Sequence, residues 1–455
     1  MMKMESENLI YLKKVTQNIF SNPTFLKMYK KDAYYEEGEA SAIIIPDSLD
    51  EFVNVVKVCI DKKIKFLVRG SGTNYTGGTI PQDCIVIVTT KLNKIIEINT
   101  EMEYAIVEPG VINEQLNNAL SKFNYKFTPD PTSYNICTIG GNVSENAGGP
   151  NCLFYGVTHD HILGLEIMLL DGTIMKIGSL EGFLPYNNFK SLLVGSEGTL
   201  CIILKIWVKI IKKEENIINL RIECKNNTIA TTLIDSLFST GVLPNILEMI
   251  AQPAIPDKEI AKHFNSILLL RFAGNNSYVE YCKNKILPLI ISRECEYEFF
   301  DEDIMYVRAK LIKERKIQLS KLTNIKPKQY LTDCVVPRSK LGDILTFISE
   351  LSIKYDVVIL NTFHAGDGNI HPTILYEDNE KERRILSKVK EEILEKCLAL
   401  SGSISAEHGI GIEKKDYLSK MFNNHEIELM ELVKSTLDPY NILNPDKIFK
   451  WGDFN

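Results

Sequence analysis

No two of the ten cysteines stand as a CxxC pair; they are scattered singly from Cys59 to Cys397. Iron–sulfur ligation requires clustered thiolates, so the chain is not expected to carry a cluster of its own. A disulfide framework belongs to far shorter chains, and the cysteines read as reduced thiols of a cytoplasmic protein. No apolar run approaches the roughly 18 residues of a membrane-spanning helix. SILLLRFAG (266–274) reads instead as a buried strand, and peripheral attachment to a membrane stays open. Excess positive charge is also missing. The formal net charge of −7 argues against a nucleic-acid partner held by bulk charge. There is no internal repeat and no low-complexity segment.

What is present is an ordinary globular composition, 45% hydrophobic and 24% charged, in 455 residues, enough for about two to three domains. The opening MMKMESENLIYLKKVTQNIF has no apolar leader core and reads as a helix with Leu9, Leu12, Val15, Ile19 and Phe20 on one side. From about residue 41 to 212 short β-rich runs alternate with helical patterns, an α+β arrangement. SAIIIP, IKFLVRG and CIVIVTT read as strands. The run from Ser48 to Lys63 reads as a helix capped by Ser48, with Asp50 and Glu51 in its first turn. Beyond about 213 longer polar helices appear, at 226–240 and 377–400. The boundaries expected are a helical segment at 1–35, a first domain at 36–212, a second at 213–410 and a terminal segment at 411–455. That last segment contains TLDPYNILNPDKIF, too apolar for a disordered tail.

Three glycine-rich loops fall in the first domain. LVRGSGTNYTGGTIP (67–81) begins like the GxGxxG of a dinucleotide site, but Tyr75 stands at the third position and a strand follows where that motif needs a helix. It is a loop of exposed amides suited to an anion. PDPTSYNICTIGGNVSENAGGPN (129–151) holds Gly140, Gly141, Gly148 and Gly149, and VGSEGTLCI (194–202) is the third. Singly each is an ordinary tight turn. Together they let bare backbone approach a long phosphate-containing cofactor at several points.

The chain has seven histidines, and two of them, His364 and His371, flank NTFHAGDGNIHPTIL. The segments on either side are strand-like, and Asp367-Gly368 is a strong two-residue hairpin signal. A turn centred there sets His364 opposite His371, their Cβ atoms about 5 Å apart, a spacing that suits two imidazoles on one metal. A turn centred on Gly368-Asn369 would offset them. SGSISAEHGIGIEKK adds Glu407 and His408 on another glycine-flanked turn. Two histidines and a carboxylate leave coordination positions open for a substrate, and fit Fe(II) as well as Zn.

Taken in order, VRGSGT, GGN with NAGG, GSEGTL, HAGDGNIH, EHGIGIEK and DPYNILNP resemble the FAD-linked oxidases of the vanillyl-alcohol oxidase and para-cresol methylhydroxylase superfamily. They are most similar to its branch of glycolate oxidase flavin subunits, D-lactate dehydrogenases and D-2-hydroxyglutarate dehydrogenases. The resemblance runs from about residue 36 to 450. It implies an α+β fold: an FAD-binding domain of two subdomains, then a substrate domain with an antiparallel sheet and flanking helices, and a C-terminal segment returning to the flavin. Pyrophosphate contacts implied are Arg69, Gly70, Ser71, Gly72, Thr73 and Asn74, with Gly77 and Gly78 beside them. Pro131, Thr132, Ser133, Gly140, Gly141, Asn142, Ser144 and Asn146 would form a second wall. Glu197, Gly198 and Ile202 would lie at the adenosine side, and Asn444 on the returning segment. The first loop lacks the histidine of covalent relatives, so non-covalent FAD is expected; His159 and His161 read as ordinary polar residues. Two departures touch the adenosine side: the stretch GSLEGFLPYNNFKSLL replaces a longer insert, and Cys201 stands where relatives usually have glycine.

The same resemblance implies His364, His371 and Glu407 as ligands of a divalent metal (Zn, Fe or Mn), His408 as catalytic base, Asn369 as a substrate hydrogen-bonding group and Arg308 as the partner of a substrate carboxylate. The implied reaction is oxidation of a small D-2-hydroxy acid, with electrons passed to an electron-transferring flavoprotein, an iron–sulfur subunit or a quinone. Leu331 stands where diacid-specific relatives would carry a lysine, which leans toward a monoacid such as lactate or glycolate. A non-haem iron oxygenase is the rival the donor set allows, though it leaves the glycine loops unexplained. An electron-relay subunit and a D-2-hydroxyglutarate-type diacid dehydrogenase are the others.

Overall fold

A computed structural model describes residues 8–178, 189–255, 258–323 and 328–449. Most of the stretch GSLEGFLPYNNFKSLL lies outside the described residues. The chain divides into two compact units, the first made of Met1–Gly149, Gly156–Lys213 and Glu407–Asn455, the second of Pro150–Tyr155 and Glu214–Ala406.

The first unit holds two principal sheets. One has the order Ile19–Phe20, Glu39–Ile44, Gln82–Val88, Phe66–Arg69, with the last three strands parallel. Its connecting helix, Leu49–Asp61, begins where Ser48 Oγ accepts the Glu51 amide at 3.2 Å. Apolar residues recur at the 3.6-residue period, so Phe52, Val55, Val56 and Cys59 come to one face and are fully buried against Ala42, Ile44, Phe66 and Ile87. Burial of each such aliphatic or aromatic side chain contributes about 1.5–3 kcal/mol. The second sheet is antiparallel, in the order Ile95–Asn99, Tyr104–Val107, Ile202–Lys209, Ile162–Met168, Ile174–Gly178. Its core takes in Leu116 and Leu120 of the helix Asn113–Ser121, and Ile139 and Val143 of the helix Ile139–Glu145. The C-terminal stretch returns to the first sheet: the Asn444 amide donates to Phe66 O at 2.7 Å.

The second unit is built on an antiparallel sheet in the order Glu296–Phe300, Asn216–Cys224, Ser266–Gly274, Ile246–Ala251, Val358–His364, Asn369–Ile370, Cys334–Val335. The helices Asn227–Ser239, Asn276–Ile291, Leu341–Tyr355 and Glu380–Ala399 belong to the same unit. The α+β class expected from the sequence is the one observed.

Two local expectations fail. The N-terminal helix ends early: among the described residues helix covers 8–12, and Ile19–Phe20 is a strand paired with Ile44 and Ile43. Sheet pairing at an open edge outcompetes the helical period there. The histidine hairpin is also not centred on Asp367-Gly368. His364 lies opposite Asn369, with Ala365–Gly368 as a four-residue loop. Gly368 takes φ +82°, and any Cβ on it would stand 2.0 Å from Val336 O. The shift amounts to two residues in the pairing sum, which preserves the face: His371 donates its amide to Thr362 O, two residues from His364. The histidines are therefore diagonal neighbours instead of direct partners.

Among the described residues no helix is long and apolar enough to cross a membrane.

Candidate active site

In the first unit four segments meet: the glycine loop after Arg69, the helix Ile139–Glu145, the turn at Glu197 and the segment beginning at Glu407. Gly70 faces the N-cap Thr138, whose Oγ1 would lie 2.2 Å from a Cβ at position 70. Asn74 folds its own loop by accepting the amides of Thr76 and Gly78, both at 2.8 Å, and donates to His408 O at 3.3 Å. Thr76 Oγ1 donates to the same carbonyl at 3.1 Å. Both oxygens of Glu197 accept backbone amides, Ile410 at 2.7 Å and Gly411 at 2.8 Å. Asn444 Nδ2 ties Gly78 O (3.0 Å) to Glu197 O (2.8 Å).

The groups left over suit a cofactor bearing phosphates. The half-buried amides of Gly70, Ser71, Gly72 and Thr73 make no hydrogen bond among the described residues, and successive free amides of this kind can take an anion. Among the described residues, buried Asn142 Nδ2 and Asn444 Oδ1 lack partners, and Gly198 at φ +65° has nothing within 4 Å of where its Cβ would stand. Other expected contacts are already committed within the protein. The Arg69 guanidinium lies beneath the loop and donates to the carbonyls of Lys31 (2.8 Å), Thr79 (3.2 Å) and Tyr29 (3.4 Å). Its side chain braces the glycine loop. Gly140 and Gly141 give their amides to Pro109 O (2.8 Å) and Thr138 Oγ1 (3.2 Å), and Ser144 Oγ donates to Gly140 O. Asn146 accepts the His159 amide. Ile202 is core, packed with Leu204 and Met168. Pro131 and Ser133 are half-buried and Thr132 is exposed.

His408 begins the last segment with Glu407. Its ring stacks on Tyr75, centroids 4.9 Å apart at 25°, and its Nε2 lies 3.7 Å from Glu407 Oε1. Further along, burial raises Glu413 to about 7 against the opposing charge of Lys414. A carboxyl that holds its proton more tightly folded than unfolded stabilises the fold below pH 4.5 and loses that contribution as pH rises through about 7. Glu413→Gln is therefore expected to melt increasingly above the wild type as pH rises from 5 to 8, a trend that paired thermal melts would reveal; a constant offset would contradict it.

The second unit assembles the histidine pair. His364 ends the strand Val358–His364, whose neighbour Ile246–Ala251 is buried throughout and carries Glu248 opposite it. A carboxylate there needs partners. Glu248 Oε1 meets His364 Nδ1 at 2.5 Å and Oε2 meets Arg308 Nε at 2.6 Å. Burial works to raise the Glu248 carboxyl, but His364 and Arg308 outweigh it and hold it below its usual value. Arg308, 9% exposed, is thus committed through Nε to Glu248, and only its terminal nitrogens could serve a substrate carboxylate. The rings of His364 and His371 lie 5.0 Å apart at 87°, both nearly buried. His371 Nδ1 faces Thr332 O at 3.4 Å. With each Nδ1 turned to a protein acceptor, Nε2 is the nitrogen each ring would offer a metal. Two such imidazoles fit a divalent transition metal. Asn369 is buried and its Oδ1 has no partner among the described residues.

Sequence reasoning passed over three carboxylates here. Glu248 was detectable as the lone charge in the apolar strand ILEMIA. Asp333, which accepts Ser405 Oγ (2.7 Å) and the Ala406 amide (3.1 Å) just before Glu407, sits in an unremarkable TDCVVP. Glu145 lies between Ser144 and Asn146, both of which were singled out.

Comparison with known proteins defines the class. Residues 40–178 match the family described as FAD binding domain, and residues 230–448 match FAD linked oxidases, C-terminal domain. The chain belongs to the FAD-linked oxidases. It is 34% identical to the glycolate oxidase subunit GlcD of Bacillus subtilis, over 93% of this chain and 92% of that one. It is 28% identical to a D-lactate dehydrogenase of Anaerostipes hadrus, over 91% of each. In fold it is similar to p-cresol methylhydroxylase, with a TM-score of 0.77 at 16% identity, covering 98% of this chain and 97% of that one. The likeness to p-cresol methylhydroxylase is one of fold, and the family matches show an oxidoreductase that uses FAD.

Proposed function

We propose that the chain oxidises a small D-2-hydroxy acid of the lactate or glycolate type to its 2-oxo acid, assisted by a divalent metal, and passes the electrons to a protein or quinone acceptor. The observation that carries this reading is the buried imidazole pair, His364 and His371, each anchored through Nδ1, in a chain whose relatives are named for glycolate and D-lactate. FAD when bound supplies the acceptor for the C2 hydride, which no side chain can take. His364 and His371, with Glu407 as third ligand on the strength of the motif, would hold a divalent metal, which would supply a lowered pKa for a substrate hydroxyl.

The protein's own groups do the rest. His408 accepts the hydroxyl proton on its imidazole, whose ordinary pKa of about 6.5 suits a base near neutral pH. Its ring is kept in place by the Tyr75 stack, and its backbone carbonyl by Asn74 and Thr76. Asn369 hydrogen-bonds the substrate, and the terminal nitrogens of Arg308 face its carboxylate, a pairing for which a planar guanidinium is suited. The glycine-loop amides and Asn142 hold the cofactor. On this reading 36–212 is the flavin domain, 213–410 the substrate domain, and 411–455 the segment that completes the flavin domain.

Anaerobic mixing with a panel of D- and L-2-hydroxy acids tests the proposal. The yellow protein should bleach with D-lactate or glycolate, and chelator-treated protein should stay yellow until Zn, Mn or Fe is restored. Bound flavin that no 2-hydroxy acid reduces would sink it.

A further inference from the structure

Glu145, which no part of the proposed reaction uses, is the group on which the first unit's four segments close. Its Oε1 lies 3.0 Å from where a Cβ on Gly78 would stand. Its Oε2 lies 3.1 Å from the corresponding point on Gly409, and Glu197 Oε1 is 2.8 Å from that same point. Glycine is required at 409 on two counts, its φ of +85° and these carboxyl oxygens. Two carboxyl groups therefore share one small space, walled by backbone that carries no side chain.

They do not share it equally. Burial raises the Glu197 carboxyl, but two amide donors, at 2.7 and 2.8 Å, and the charges of Lys414 and Lys447 oppose that rise and favour its ionised form over that of Glu145. Glu145 has no such support. Burial raises its carboxyl well above the ordinary range, the charges of Glu197 and then Asp32 push the same way, and only a hydrogen bond from Asn74 opposes them. Its Oε2 is buried and has no hydrogen-bond partner among the described residues. Buried polar atoms nearly always have one, and this atom lies beside Gly409 at a point that Glu197, of the third glycine-rich loop, also approaches.

We infer that Glu145 is a flavin-binding residue, its carboxyl group serving as a hydrogen-bond donor to the bound FAD. A neutral acid suits the place: it can donate to a cofactor atom, and unlike a carboxylate it does not repel the cofactor's phosphates. The inference rests on the flavin assignment and is independent of which hydroxy acid is oxidised.

The test compares the wild type with Glu145→Gln and Glu145→Leu, titrating FAD into each apoprotein and measuring the potential of the bound flavin by dye equilibration. Glutamine keeps a neutral donor, so its Kd should stay within about threefold and its potential should not move. Leucine removes the donor and should weaken FAD binding by about tenfold or more. Leucine protein that binds FAD like the wild type would overturn the inference, and so would a raised flavin potential in the glutamine variant, the signature of a lost negative charge. Wild-type apoprotein that fails to take up FAD would instead remove the flavin assignment itself. If the leucine variant does not fold, the oxidised-minus-reduced infrared spectrum decides. The wild type should show a protonated carboxyl C=O band that Glu145→Gln lacks, and its absence from the wild type would overturn the proposal.

Discussion

Replacing His408 by asparagine is expected to slow reduction of the bound flavin by a D-2-hydroxy acid by about 10²–10⁴-fold, the range that a positioned general base contributes. FAD should remain bound. The two effects separate because the residue is held by different atoms for different purposes. Its carbonyl receives Asn74 Nδ2 and Thr76 Oγ1, and so secures the loop that lies over the glycine turn. Its ring touches Tyr75 and approaches Glu407. Asparagine preserves the carbonyl and removes the titrating nitrogens. Single-turnover bleaching under anaerobic conditions, at substrate concentrations that saturate the wild type, reads the step directly. A variant that bleaches at the wild-type rate would remove His408 as the base, and one that loses its yellow colour would show the side chain to be structural.

Much of this was legible in the sequence, for reasons that differ from place to place. The strand Ser266–Gly274 is apolar at nearly every position because both faces of a central strand are buried, and such a run announces itself. The helix Leu49–Asp61 carried a cap, an acidic first turn and a clean period. The glycine loops were legible as ligand-binding because several recur in a single domain, and the motif order carried the family. Charge pairing across elements was not legible. Glu248 and Arg308 are 60 residues apart in the chain, and nothing local in either segment tells that they share an ion pair. Hairpin register was misjudged for a related reason. Asp-Gly favours a two-residue turn locally, but Asp367 Oδ1 instead accepts the Asn369 amide at 3.1 Å, and the strand Cys334–Val335 pairs with Asn369–Ile370 to set the longer loop. The face survived because the slip was even. The bracing role of the Arg69 guanidinium was not legible either, because a motif names a residue and not the direction of its side chain.

Glu248→Gln should produce the largest loss of stability of any substitution considered, and a loss of metal affinity with it. Glu248 is fully buried and neutralises Arg308 while holding His364 through Nδ1. Glutamine has nearly the same shape and can still accept from one of them, but it carries no charge. Arg308 is then left as a buried cation without its counter-ion, and breaking a buried pair from one side costs about 3–5 kcal/mol. Denaturant unfolding should show that loss at pH 7. Because the folded Glu248 carboxyl lies below its usual value of 4.5, the wild type's advantage is fully present above that pH and declines only as pH falls beneath it. The second consequence concerns His364. An ionised acceptor on Nδ1 fixes the ring's tautomer and orientation and makes Nε2 the better ligand, and loss of such a group typically weakens metal binding about 10–100-fold. Competition with a chromophoric chelator measures this independently of stability. Glu248→Gln protein that melts like the wild type would show Arg308 to be satisfied elsewhere. If it melts lower but binds metal unchanged, Glu248 serves the arginine alone, and the orientation of His364 must be set by its position at the end of Val358–His364.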